Sequence, residues 1–171
     1  MKVINTLLSD VQVIQSPAFV DNRGSFVKLF NQEDTLLKDY HIQQVNFVQN
    51  KQAHILRGLH YQTGAWAEAK FFRAIKGSIQ LGLVDTRTGK AAADLAATVV
   101  LNQSDMGVLV PRGFATGYLT LSEEAEVLYF SDNVYHPAAE RGIRWDDPAF
   151  GLDWQTDKPD VSDKDAAWAL W

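Results

Sequence analysis

The chain has 171 residues, 46% of them hydrophobic, with 16 Lys and Arg against 21 Asp and Glu, a formal net charge of -5 and no cysteine. That length fills one core and is short for two, so a single domain over residues 1–171 is expected. The acid excess excludes a general attraction to nucleic acid or acidic membranes, and the missing thiols exclude disulfides, thiolate catalysis and Cys-rich zinc sites. No cleavable leader or bilayer-length apolar run is legible, which together with the absence of cysteine makes cytoplasmic the expected location.

Along the chain, Val11 to Asn22 alternates loosely up to the turn at Asn22-Arg23-Gly24, and Ser25 to Phe30 resumes as a second short strand. Gln32 to Tyr40 is expected as a short helix, with Leu36 and Leu37 as its apolar face and Glu33 and Asp34 near its start, where the dipole favours acids. Strand signals then dominate: Gln44 to Val48, His54 to Gln62, Lys70 to Lys76, Ser78 to Asp85, Leu95 to Leu101, Gly107 to Val110, Tyr118 to Leu121 and Ala125 to Asp132. Turns are expected at Lys76-Gly77, Arg87 to Lys90, Asn102 to Asp105 and Pro111-Arg112-Gly113. This pattern predicts an all-β sandwich or barrel, because no repeated helical segment separates the strands as a parallel α/β fold requires.

From Tyr135 the chain carries Pro137, Pro148 and Pro159 with Trp145, Trp154, Trp168 and Trp171, a composition that predicts a tail wrapped over the sheets, since indoles are driven into contact. Asp163 to Leu170 is expected as a terminal helix with Ser162 as its N-cap.

The polar signal centres on Arg57-Gly58-Leu59-His60-Tyr61-Gln62 and Lys70, which set a guanidinium, an imidazole and an ammonium within strands. A sheet face carrying such groups reads as a polar pocket for an anionic ligand with one candidate base. Taken alone, Asp165 reads as a solvated first-turn helix residue, Tyr129 as a wall aromatic and Arg23 as a turn arginine. His41 and His136 sit in loop-like surroundings and are expected at the surface.

Lys76-Gly77-Ser78 and Pro111-Arg112-Gly113-Phe114 resemble the two turn signatures of a cupin. The resemblance implies an all-β, cupin-type double-stranded β-helix, a jelly-roll barrel with short flanking helices and a C-terminal tail. His54 and His60 do not form a cupin metal pair, and Thr116 stands where a late-strand ligand would be, so no metal is expected.

Asp21-Asn22-Arg23-Gly24-Ser25-Phe26, Gln44-Val45-Asn46, Leu56 to Gln62, Ala69-Lys70, Val84 to Arg87, Val110 to Gly117, Ala125 to Tyr129, Glu140 to Pro148 and Ser162 to Asp165 together are similar to the dTDP-4-dehydrorhamnose 3,5-epimerase family. That resemblance implies a cofactor-independent isomerase acting at C3 and C5 of a dTDP-4-keto-6-deoxyhexose through an enolate. It implies His60 as general base, Asp165 as its orienting carboxylate and Tyr129 as general acid on the opposite face of the sugar, with Lys70 as the candidate to meet the enolate oxygen.

The substrate-binding positions it implies are Arg23, Lys28, Gln44, Asn46, Arg57, Lys70, Thr116, Glu140 and Lys164, with Arg57 and Arg23 at the diphosphate. It also implies a homodimer with shared sites, the Arg23 segment reaching into the neighbouring subunit. Lys28 and Thr116 stand where the family usually has Glu and His, and Phe47-Val48-Gln49-Asn50 stands where it usually has small hydroxyl residues. These departures bear on specificity. The alternatives are an epimerase of one carbon, a 3,4-ketoisomerase, and a non-catalytic sugar-nucleotide binder.

Overall fold

The computed structural model describes residues 1–8, 10–87 and 95–171. Among them the chain forms strands β1 (Lys2–Leu7), β2 (Val11–Gln15), β3 (Ala18–Asp21), β4 (Gly24–Val27), β5 (Gln44–Gln49), β6 (Ile55–Gln62) and β7 (Lys70–Lys76). These are followed by β8 (Ile79–Asp85), β9 (Ala96–Leu101), β10 (Met106–Val110), β11 (Phe114–Thr120), β12 (Glu126–Ser131), β13 (Glu140–Gly142), β14 (Asp160–Val161) and a short α-helix, α1 (Asp163–Ala166), with single 3-10 turns at Gly64–Trp66 and Pro137–Ala139. Of the turn expected at Arg87 to Lys90, residues 88–90 lie outside the described part.

Two sheets carry the fold. One runs β1-β2-β10-β7-β12-β5; the other runs β13-β6-β11-β8-β9, with β14 added parallel to β6. Strands β3 and β4 form a separate hairpin. Strand period places alternate side chains on opposite faces, so Val11 and Val13 of β2, Phe72 and Ala74 of β7 and Val108 and Val110 of β10 turn inward. There they meet Leu81 and Leu83 of β8 and Phe114 and Tyr118 of β11 in one core between the sheets.

The expectation of a closed cupin barrel is corrected. Among the described residues no backbone ladder joins the two sheets, and each runs open to its edges, β1 and β5 in one and β13 and β9 in the other. The two turn signatures are real turns, with Gly77 and Gly113 at positive φ (70° and 86°). Both carry the chain from one sheet to the other, β7 to β8 and β10 to β11, without linking them by hydrogen bonds. Sequence reports where a chain turns but not whether the flanking strands pair across the gap.

Three local expectations also change. The stretch from Gln32 to Tyr40 is a series of turns, not a helix. The Asp34 carboxylate accepts from the Leu36 N–H and from the Met1 amino group, while Gln32 Nε2 donates to the carbonyls of Leu37 and Lys38. Such side chain to backbone bonds compete with a helical ladder. The segment from Val11 to Asn22 breaks into β2 and β3 at Ser16-Pro17, where proline supplies no N–H, and the terminal helix spans Asp163–Ala166 only, with Ser162 capping it as expected.

The tail packs as its indoles predict. Trp154 is buried against Gly82 and donates its ring N–H to the Trp145 carbonyl, Trp168 lies over Gly142, and Trp171 meets Phe150 edge-on. Gln80 and the 153–155 segment exchange two hydrogen bonds, so the tail is tied to β8 as well as to β6.

Arg73 of β7 is completely buried. Its guanidinium lies over the Phe71 ring and donates to the carbonyls of Leu29 and Ser104 and to the Ser16 hydroxyl. Burial pulls its pKa down to about 10, which leaves it cationic at neutral pH.

Candidate active site

The site is built from three strands of one sheet facing β6 and the tail. In the β5-β12-β7 ladder, Asn46, Tyr129 and Phe72 are register partners in one cross-strand row, and Gln44, Ser131 and Lys70 form the next. Opposite them β6 contributes Arg57 and His60, and α1 contributes Asp165. Two adjoining cavities result, of about 260 and 310 Å³, and His60, Lys70 and Tyr129 line both. Gln44, Asn46 and Glu140 line the first, and Arg57, Thr116, Lys164 and Asp165 the second.

His60 Nε2 lies 2.6 Å from Asp165 Oδ1. With Nε2–H donated to the carboxylate, Nδ1 is left to accept a proton. Asp165 Oδ2 also accepts the Gly58 backbone N–H at 3.1 Å. Burial works against this carboxylate, but the His60 hydrogen bond and charge, with help from Gly58 and Ser162, outweigh it and hold the pKa below the ordinary value. The tail thus delivers a charged carboxylate to the imidazole, with the Ser162 cap bonded to the Asp165 N–H fixing the turn that carries it.

Tyr129 is stacked on Phe72, with ring centroids 5.2 Å apart. Burial, chiefly, with the nearby Tyr118 and the Glu68 charge adding, pushes its pKa up to about 12 despite the opposing effect of Arg57. The phenol is therefore protonated across the neutral range and available as a proton donor.

Lys70 Nζ pairs with Glu68 Oε1 at 3.0 Å, and the two side chains keep only 11% and 10% of their surface. Glu68 lies in the connection just before β7, and the ion pair holds it beside the Lys70 ammonium. Ala69 between them is clamped, its N–H donating to Asp132 Oδ1 and its carbonyl accepting from the Asp132 N–H.

Arg57 Nε donates to Asn50 Oδ1, which also accepts from the Tyr118 hydroxyl. In the 47–50 segment, then, Asn50 orients the guanidinium and Val48 lines the second cavity, while Phe47 and Gln49 turn outward. Glu140 accepts from Lys164 Nζ and from the Tyr135 hydroxyl. Burial opposes its charge, but these donors and the nearby His60 hold its pKa below the ordinary value. Thr116 is buried with its hydroxyl near the His60 carbonyl.

The predicted residues come together apart from Arg23 and Lys28, which line neither cavity. Arg23 sits at the tip of the β3–β4 hairpin, its side chain 85% exposed and paired with Asp21, and Lys28 follows β4. His41 is exposed as expected. His136 is not a simple surface group, since it stacks on Trp66 with its Nδ1 buried.

Sequence reading missed Glu68, Ser131 and Tyr135, all of which line the first cavity. Ser131 stands two residues after Tyr129 in the same strand, so strand period applied to Tyr129 was the available signal, whereas Glu68 lies outside β7 and carried none. Among the described residues no group of three or more His, Cys, Asp or Glu side chains is arranged to hold a metal ion, and no helix is long and apolar enough to cross a membrane.

An oriented imidazole, a protonated phenol and a buried ammonium around one polar space, in a two-sheet all-β fold, define a class of protein able to move protons at a bound polar ligand. The comparisons with known proteins narrow the class. The dTDP-4-dehydrorhamnose 3,5-epimerase family model matches residues 5–171, and the chain belongs to that family.

The chain is 36% identical over 173 residues to the dTDP-4-dehydrorhamnose 3,5-epimerase of Salmonella typhimurium, covering 98% of this chain and 93% of that one. The Shigella flexneri enzyme of the same name is 35% identical over 170 residues, covering 96% and 93%. Among solved structures, the Bacillus anthracis dTDP-4-dehydrorhamnose 3,5-epimerase with TDP and PPi bound superposes with a TM-score of 0.92 at 29% identity, covering 99% of both chains. The Legionella pneumophila dTDP-6-deoxy-D-glucose-3,5-epimerase in complex with dTDP-4-keto-L-rhamnose gives 0.89 at 31% identity, covering 99% of this chain and 92% of that one.

Proposed function

We propose that this protein epimerises C3 and C5 of a dTDP-4-keto-6-deoxyhexose, as one domain in the cytoplasm and as a step in nucleotide-sugar supply for rhamnose-containing polysaccharide. The observation that carries this reading is the His60–Asp165 pair sharing one cavity with Tyr129 and Lys70, in a chain of this family.

His60, with Nε2–H held by Asp165, takes the proton from the carbon beside the C4 ketone, and the electron pair moves onto the ketone oxygen to give an enolate. Lys70 stabilises that oxygen as charge develops. Tyr129 then returns a proton from the other face, and the carbon is inverted. Solvent restores both groups, because His60 loses the proton it took and the Tyr129 phenolate regains one. The same exchange at the second carbon completes the reaction. Arg57 and Lys164, with Gln44, Asn46 and Glu140, bind the rest of the substrate, the guanidinium suiting the diphosphate.

Solvent protons enter at each inverted carbon, so turnover in heavy water is the direct test. Two deuterium atoms per product molecule, at C3 and C5, are expected by NMR and mass. One alone would favour epimerisation at a single carbon, and none would sink the reading. Tyr129→Phe is expected to cut product formation by about 10²-fold or more while leaving wash-in of solvent deuterium into the substrate pool measurable, because removal of the proton at His60 survives. Equal loss of both would remove Tyr129 from the donor role.

The active form is a homodimer in which Arg23 of each protomer completes the other's site. Phe19, Val20 and Phe26 of the hairpin are 63%, 77% and 63% exposed, an apolar surface of the kind a partner covers. Inactive Arg23→Ala and His60→Ala chains co-expressed in equal amounts are expected to recover about a quarter of the normal rate, since half the dimers hold one intact site of two. Sedimentation as one chain, or no recovery, would overturn the shared site.

A further inference from the structure

Ser131 is 1% exposed, and its hydroxyl has no hydrogen-bond partner among the described residues. It nevertheless lines the first cavity. It stands two residues beyond Tyr129 on β12 and so shares its face. Its register partners are Gln44 on one side and Lys70 on the other, which sets its Cβ about 5 Å from each. A buried hydroxyl without a protein partner is rare in folded proteins, and one at the floor of a cavity is placed to bond what the cavity binds.

The neighbours indicate which ligand atom. The ion pair with Glu68 keeps the Lys70 ammonium close to the sheet, so the cation and the Ser131 hydroxyl lie on the same patch of floor. We propose that Ser131 donates a second hydrogen bond, beside the Lys70 ammonium, to the ketone oxygen that becomes the enolate. This rests on the epimerase reading above, in which Lys70 meets that oxygen. A hydroxyl is uncharged before and after the step, and its rotor can follow the oxygen as negative charge builds. Its contribution therefore grows toward the transition state and acts on kcat more than on KM.

The experiment compares Ser131→Ala, the near-isosteric Ser131→Cys and Lys70→Met in steady-state turnover and deuterium wash-in, with dTDP affinity and the thermal midpoint measured alongside. Both Ser131 variants are expected to keep their dTDP affinity and thermal midpoint, with KM within about threefold of normal. Their kcat is expected to fall about 10²-fold, with exchange slowed alike at both carbons. Unchanged kcat, or a raised KM at normal kcat, in Ser131 variants beside an inactive Lys70→Met overturns the Ser131 assignment and leaves the epimerase reading standing. Full activity in Lys70→Met overturns the Lys70 role and the Ser131 assignment with it.

Discussion

His60→Ala is expected to lower turnover of a dTDP-4-keto-6-deoxyhexose by about 10³-fold or more and to abolish deuterium exchange at both carbons, because general-base catalysis contributes on that scale. Arg57 and Lys164, proposed above to bind the substrate, are untouched, so dTDP binding is expected to survive the change. Asp165→Asn is the sharper probe. An amide in place of the carboxylate still reaches His60 Nε2, at 2.6 Å in the native protein, but it no longer stabilises the imidazolium formed on proton uptake and can select the wrong tautomer. Turnover is expected to fall nearly as far as in His60→Ala with little change in structure.

The same pair has a pH signature in stability. The native Asp165 pKa lies below its ordinary 3.8, so its pairing stabilises the fold above that pH and is lost as pH falls through the lowered native value. Asp165→Asn is accordingly expected to flatten the loss of stability on the acid side of about pH 4 in denaturant titrations. An unaltered acid profile together with normal turnover would show that the carboxylate neither charges nor orients the site.

Gly58→Ala is the second large effect. Gly58 has φ +117°, and a Cβ there would stand 2.5 Å from Gly117 Cα and 2.7 Å from the Thr116 carbonyl oxygen, both backbone atoms of the paired strand. Strain of this kind and overpacking each cost about 1–3 kcal/mol, so about 3 kcal/mol or more is expected to be lost. In a chain of this size that corresponds to a thermal midpoint lower by about 6–12 °C. Relief of the clash would push β6 from β11, carrying the Gly58 N–H away from Asp165. Gly64→Ala is the control, with φ +64° but open space around the added atom. Equal melting of the two variants would show that the β6–β11 contact is not tight.

The chemistry was more legible in the sequence than the architecture. His60, Arg57 and Lys70 stand out because charged and titratable groups inside strands have few structural uses, and Tyr129 and Asp165 followed from the order of the family motifs. Ser131 left only the strand period that sets it on the face of Tyr129, since a serine in a strand is unremarkable until its register partners and its missing hydrogen bond are known. Glu68 was hidden by lying in the connection before β7 and looking like a surface acid.

Arg23 and Lys28 were placed by motif order beside ligand groups, yet in the single chain they lie on a hairpin apart from both cavities. Their place in a site rests on the two-subunit arrangement proposed above. The closed barrel failed for a different reason. The turns at Gly77 and Gly113 are local and visible in sequence, while sheet closure depends on pairing between strands far apart in the chain. The helix expected from Gln32 to Tyr40 failed because Asp34 and Gln32 spend their side chains on nearby backbone groups and on Met1.

The buried Arg73 guanidinium sets the reach of the β3–β4 arm. Ser16 precedes the arm and Leu29 follows it, and both are hydrogen-bonded to this one side chain. The hairpin is thus tethered by both feet to a single point, and strands of four residues at about 3.3 Å each carry its tip about 13 Å from the root. Any surface that Arg23 touches lies within that distance plus the length of its own side chain, so shortening the arm by a residue pair would shift where the guanidinium lands without disturbing either sheet.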